Sequence, residues 1–153
     1  MVTQLKLTAK NLYDSDYHLW VIETVKQLEN KEFNALDLDN LIEEVADLSR
    51  RQKKKLKNLL RNLFEHLLKL TYWQAEIPYN KFYCKGEIRN FRKEINDELE
   101  DSPSLRNYLN DILDECYEDA KELVSDKTQL PFSTFPEKPI ANLEQVLEQD
   151  CFL

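Results

Sequence analysis

A single glycine and five prolines in 153 residues leave too few turn formers for a sheet protein, so helices joined by few connections are expected. Hydrophobic residues at 42% against 33% charged exclude a disordered chain, and a net charge of -8 argues against a general nucleic-acid coat. No apolar run approaches the ~20 residues of a membrane span, the opening residues MVTQLKLTAKNLYDSD lack a signal-peptide core, and three cysteines without CxxC spacing read as reduced thiols, so a cytoplasmic protein of one domain, without a zinc site, is expected.

Residues 1–13 read as an extended arm ending at Tyr13. Asp14, Ser15 or Asp16 can cap a first helix over about residues 16–30, with Tyr17, Trp20, Val21, Thr24, Val25 and Leu28 on one face. After the connector KEFNAL, the stretch from Asp37 to Trp73 contains neither Gly nor Pro. It predicts one helix about 50 Å long at a rise of about 1.5 Å per residue, around which the shorter segments pack. Asp37 caps it, and Asp39, Glu43 and Glu44 place negative charge where the helix dipole favours it. At about 100° per residue, Leu41, Val45, Leu48, Leu56, Leu59, Leu63, Leu67 and Leu70 share a core face, widened by Ile42 and Leu60. Arg50, Lys54, Lys57 and Arg61 lie nearly opposite and give the helix a basic back.

The segment QAEIPYNKFYCKG reads as a loop broken by Pro78 and Gly86. A third helix is expected over about residues 87–100, with Ile88, Phe91, Ile95 and Leu99 inward. Ser102 and Pro103 signal the start of a fourth helix, running to about Ser125 with Leu105, Leu109, Ile112, Cys116, Ala120 and Leu123 inward. Residues 126–142 form an irregular, proline-containing crossing in which Phe132 and Phe135 pin the chain to the bundle, and a short helix over about residues 143–149 ends it. The fold class is all-α: four main helices plus a short C-terminal one, packed antiparallel as neighbours.

Several short runs appear in a characteristic order: Tyr13-Asp14-x-Asp16-Tyr17-x-x-Trp20, Leu36-Asp37-x-x-Asn40-Leu41-x-Glu43-Glu44 and His66-Leu67-Leu68-Lys69. Glu87-Ile88-Arg89-Asn90-Phe91-Arg92, Ser102-Pro103-Ser104-Leu105-Arg106 and Phe135-Pro136 complete it. In this order and spacing, from about Leu12 to Phe152, the chain resembles the bacterial family called domain of unknown function 29. The resemblance implies an all-helical bundle and no established activity. Cys84 stands where the family pattern leads one to expect Trp, and Lys138-Pro139-Ile140 where Cys-Pro-Tyr is usual.

Four constellations could carry chemistry. Arg61 and His66 spell R-x4-H, which resembles the signature of HEPN ribonucleases. Five residues along a regular helix, however, turn the two side chains about 140° apart, which favours coincidence. The basic stripe Arg50, Lys54, Lys57 and Arg61 can neutralise phosphates, but no aromatic residues interleave with it to stack bases, and a solvated or interface face is favoured. Arg92 falls inside the apolar stripe of its helix and, in an antiparallel hairpin, stands level with His66. Glu115, or Glu65 from the flank, can partner it, giving either a small anion-binding polar pocket of His66, Arg92 and Glu115 or a network that holds helix register. Asp37, Asn40, Glu43 and Glu44 lack the Glu-x-x-His pairs of a di-metal bundle, so no metal is expected there, and capping accounts for them.

No catalytic set, phosphate loop or cofactor motif emerges, so the expectation leans away from an enzyme. The leading reading is a small cytosolic adaptor or regulator that binds an unknown protein or itself through the Leu60, Phe64 and Leu68 edge of the long helix. A nucleic-acid-linked role, as polyanion binder or HEPN-like ribonuclease, is the runner-up.

Overall fold

The computed structural model describes residues 12–73, 77–139 and 141–148, with only the backbone of 77–80. All regular structure among these residues is helical: α1 (Tyr17–Glu29), α2 (Leu38–Tyr72), α3 (Ile77–Asp101), α4 (Leu105–Thr128) and α5 (Leu143–Leu147), with 3-10 turns at Phe33–Ala35 and Phe132–Thr134. The long central helix, the short C-terminal one and the all-α class match the sequence reading. Packing divides the chain into two compact units, Met1–Arg51 and Gln52–Leu153. Helix α2 supplies its first part to one and the remainder to the other.

In the first unit, residues 12–15 form a helical turn rather than the end of an extended arm, and residues 1–11 of that arm lie outside the described residues. Asp16 caps α1, its carboxylate accepting the Leu19 N–H at 3.0 Å. Trp20 is the buried anchor, with the Tyr13 ring edge-on at 4.8 Å and the Tyr17 ring stacked at 5.8 Å. The C-terminus of α1 closes by two bonds, Glu32 N–H to Gln27 O and Lys31 N–H to Leu28 O. These put Lys31 at a φ of 57° in the left-handed position that glycine usually takes. Leu36 and Asp37 are buried at the entry to α2. There the Asp37 carbonyl accepts the Leu41 N–H and its carboxylate accepts from Asn40 Nδ2 at 2.6 Å.

The second unit packs α3 and α4 on α2 from Gln52 onward. Gln52 meets Ser102, Lys55 meets Glu98 and His66 meets Phe91, so α2 and α3 run antiparallel. Lys57 meets Glu115 and Glu65 meets Lys127, so α2 and α4 run parallel. Leu56, Leu60 and Leu63 of α2, Ile88 and Ile95 of α3, and Leu109, Cys116, Ala120 and Val124 of α4 are completely enclosed. Each large aliphatic side chain so enclosed contributes about 1.5–3 kcal/mol. Phe135, Leu143, Val146 and Leu147 close the core from the C-terminal segment.

The stretch from Ile77 to Gly86 is helix, not loop. Pro78 sits at the second helical position, where its missing N–H falls among donors that have no partner in any helix. Gly86 is merely a weak helix former in mid-helix. The Leu60, Phe64 and Leu68 edge, expected to face a partner, lies inside the chain's own core at 0%, 4% and 6% exposure. Helix α4 also starts later than Pro103, at Leu105, and Ser102 Oγ accepts from Gln52 Nε2 at 3.0 Å instead of capping.

A methyl group added at Gly86 would meet nothing within 4 Å, and the residue has no positive φ. Gly86→Ala is therefore expected to raise the unfolding free energy by about 0.5–1 kcal/mol, read from the denaturant midpoint at unchanged slope. A loss of stability would contradict a continuous α3.

Candidate functional site

The residues expected to form a polar pocket are each engaged in holding the second unit together. Arg92 is 1% exposed, and its Nε donates to the Val146 carbonyl at 2.8 Å, in the last turn of α5. A guanidinium there meets both a carbonyl without a helical partner and the negative end of the helix. His66 is half-buried, its Nδ1 2.9 Å from the Asn62 carbonyl one turn back, its ring against Phe91 at 5.2 Å and Tyr83 at 6.4 Å. The structure does not place Glu115 on Arg92: it is exposed and takes the Lys57 ammonium at 2.6 Å. Glu65, the other proposed partner, is buried between Lys69 at 3.0 Å and Lys127. Burial pushes its carboxyl up, but hydrogen bonds from the two lysines outweigh that and hold it below the ordinary carboxylate range.

Two of the four residues of the basic stripe are committed to carboxylates. Arg50 pairs with Glu43 at 3.0 Å and Asp47 at 3.7 Å, and Lys57 with Glu115. Lys54 is exposed, and Arg61, expected on an open back, is half-buried with an Nε that finds no acceptor among the described residues. Among the described residues no group of three or more His, Cys, Asp or Glu is placed to hold a metal ion. Cys84 and Cys116 are buried thiols, Cys116 pushed up to about 12 by burial, and Cys151 lies outside the described residues.

Sequence reasoning missed a different arrangement, within the first unit. Helices α1 and α2 leave a groove of about 220 Å³ between them. Val21, Val25 and Leu28 line one wall and Leu41, Val45 and Leu48 the other, with Trp20 and Thr24 also lining it and Tyr17, Glu44 and Arg51 as polar rim. Leu41, Val45 and Leu48 were expected in the core, yet Val45 and Leu48 are 59% and 62% exposed and Leu41 only half-buried. Leu38 and Ile42 on the same helix are equally open at 57% and 58%. At the rim the Glu44 carboxylate accepts from Tyr13 Oη at 2.7 Å and Tyr17 Oη at 2.8 Å, with Arg51 at 3.3 Å. Hydrogen bonds from the two phenols draw Glu44 below the ordinary carboxylate range, and the same bonds push Tyr13 up to about 12 and Tyr17 upward. The signal for this clasp was present as Tyr13, Tyr17 and Trp20 at helical spacing, with an acidic residue flanking the leucine stripe.

The family model for the domain of unknown function DUF29 matches residues 12–152. The chain belongs to this family. No curated protein and no solved structure matches it. In this DUF29 chain, the motif Tyr13-Asp14-x-Asp16-Tyr17-x-x-Trp20 supplies both phenols and the buried indole of the rim, and Asn40-Leu41-x-Glu43-Glu44 supplies the acceptor. No helix among the described residues is long and apolar enough to cross a membrane.

Because the folded state raises the Tyr13 pKa from 10.0 to about 12, its contribution to stability is present below pH 10 and lost as pH rises through about 12. For Glu44, whose pKa is lowered, the contribution is present above its ordinary value of 4.5 and lost as pH falls through the depressed one. In a tyrosinate absorbance titration, Glu44→Gln is expected to bring two late-ionising phenols back toward 10, while an unchanged curve would contradict the clasp.

Proposed function

We propose that this protein acts in the cytoplasm as a small, non-catalytic adaptor or regulator that binds another protein chain through the open face of its first helix pair. The observation that carries this reading is the exposure of Leu38, Ile42, Val45 and Leu48 on one face of α2. Scattered single apolar residues on a surface are ordinary, but a contiguous stripe beside an apolar groove is how interaction surfaces look. The groove suits side chains of a docking helix better than a free small molecule, whose pockets usually run to roughly 300–1,000 Å³ and enclose the ligand. Buried, unreactive thiols at Cys84 and Cys116 fit a reducing compartment.

The nucleic-acid alternative has less support. Arg50 and Lys57 already neutralise carboxylates, and His66 is spoken for by its own helix and by Phe91. A photoreactive residue placed at Val45 in cells is expected to give light-dependent protein adducts. The same residue placed at the exposed Glu122 on α4 is expected to give few. Equal yields from the two positions would overturn the reading.

A further inference from the structure

The apolar stripe of α2 has two fates. From Leu56 to Leu68 it is covered by α3, α4 and the C-terminal segment, and Leu56, Leu60 and Leu63 are wholly enclosed. Between Leu38 and Leu48 the described residues of the first unit offer it one long helix, α1 of 13 residues, and the stripe stays open. Two helices form one layer, and a layer with an apolar face is stable when a second layer covers it.

We propose that the second layer is the same helix pair of another copy, so that two chains close a four-helix bundle about a two-fold axis. This rests on the interaction reading above and names the partner. Three observations favour a second copy. First, α1 and the part of α2 beside it are nearly equal in length, 13 residues and residues 38–51, each about 20 Å long. Such a hairpin can lie on its own copy along its whole length, as in antiparallel bundles.

Second, the area is right. Leu38, Ile42, Val45 and Leu48 are 57–62% exposed, Val25 48% and Leu28 41%. Together they hold roughly 350–600 Å² of open apolar surface at ordinary side-chain sizes. A standard interface takes about 800 Å² from each partner, of which about 65% is apolar in homodimers. Third, the two arginines on the α2 side of this face are settled within the chain: Arg50 on Glu43 and Arg51 on Asp47 at 2.7 Å and Glu44 at 3.3 Å. A copy can approach along that edge without desolvating an unpaired guanidinium.

Light scattering of the full chain across a concentration series tests the assignment. The expected result is a mass of twice 18.3 kDa that returns to the monomer value in Val45→Glu, with helical circular dichroism retained. Should Val45→Glu fail to fold, Val45→Cys serves instead: mild oxidation is expected to link two chains through that residue. A monomer at every concentration overturns the proposal, as does a dimer that Val45→Glu leaves intact. A monomer that becomes dimeric only when residues 1–11 are removed also overturns it, assigning the face to the chain's own N-terminal segment. Light-dependent adducts between Val45 and a different protein, with a monomeric chain, overturn the second copy and leave the interaction reading standing. The absence of any adduct overturns both.

Discussion

An apolar stripe on a 35-residue helix has to be covered along its full length, and the rest of this structure follows from how that is done. From Gln52 onward two long helices and a C-terminal segment do it, and the core there is closed. Burial of leucines along α2 is the dominant stabilising term, since each fully enclosed side chain outweighs any single surface ion pair severalfold. The ion pairs of Lys55 with Glu98 and Lys57 with Glu115 set register between helices more than they hold them together.

Two buried cations of the second unit, Arg92 and Lys121, fasten the C-terminal segment to the long helices, while Glu65 ties α2 to α4. Arg92 of α3 holds the end of α5 through the Val146 carbonyl. Lys121 of α4, 2% exposed, donates to the Glu137 carbonyl at 3.1 Å, pairs with Glu118 at 2.6 Å and lies against the rings of Tyr117 and Phe132. Tyr117 Oη donates to the Pro136 carbonyl at 2.7 Å. Segments without helical hydrogen bonds need partners for their carbonyls, and long side chains from α3 and α4 reach out to supply them. Arg92 reads more naturally in this company than as the centre of an anion site.

The leucine period made α2 legible to within a residue at either end, because periodicity survives ignorance of the partner. Period says which residues share a face and nothing about who covers it, so Val45 and Leu60, on one stripe, could not be told apart, yet Val45 is open and Leu60 enclosed. The start of α3 was hidden by Pro78 and Gly86, which look like breakers and cost little where they fall. Arg92 was recognisable as a polar residue in an apolar stripe. Its acceptor, a backbone carbonyl 54 residues away, carries no mark in the side-chain sequence. The Tyr13, Tyr17 and Glu44 clasp joins residues up to 31 apart and depends on a tertiary contact that spacing alone does not reveal.

With a second copy closing the first unit as proposed, one helix is finished by its own chain from Gln52 onward and by association before it. Amide hydrogen exchange resolved along α2, at dilute and concentrated protein, tests it most directly. Amides from Leu56 to Leu68 are expected to exchange at the slowest rate in the molecule at both concentrations. Those from Leu38 to Leu48 should exchange faster when dilute and slow markedly as concentration rises. Uniform protection along the whole helix, independent of concentration, would contradict it.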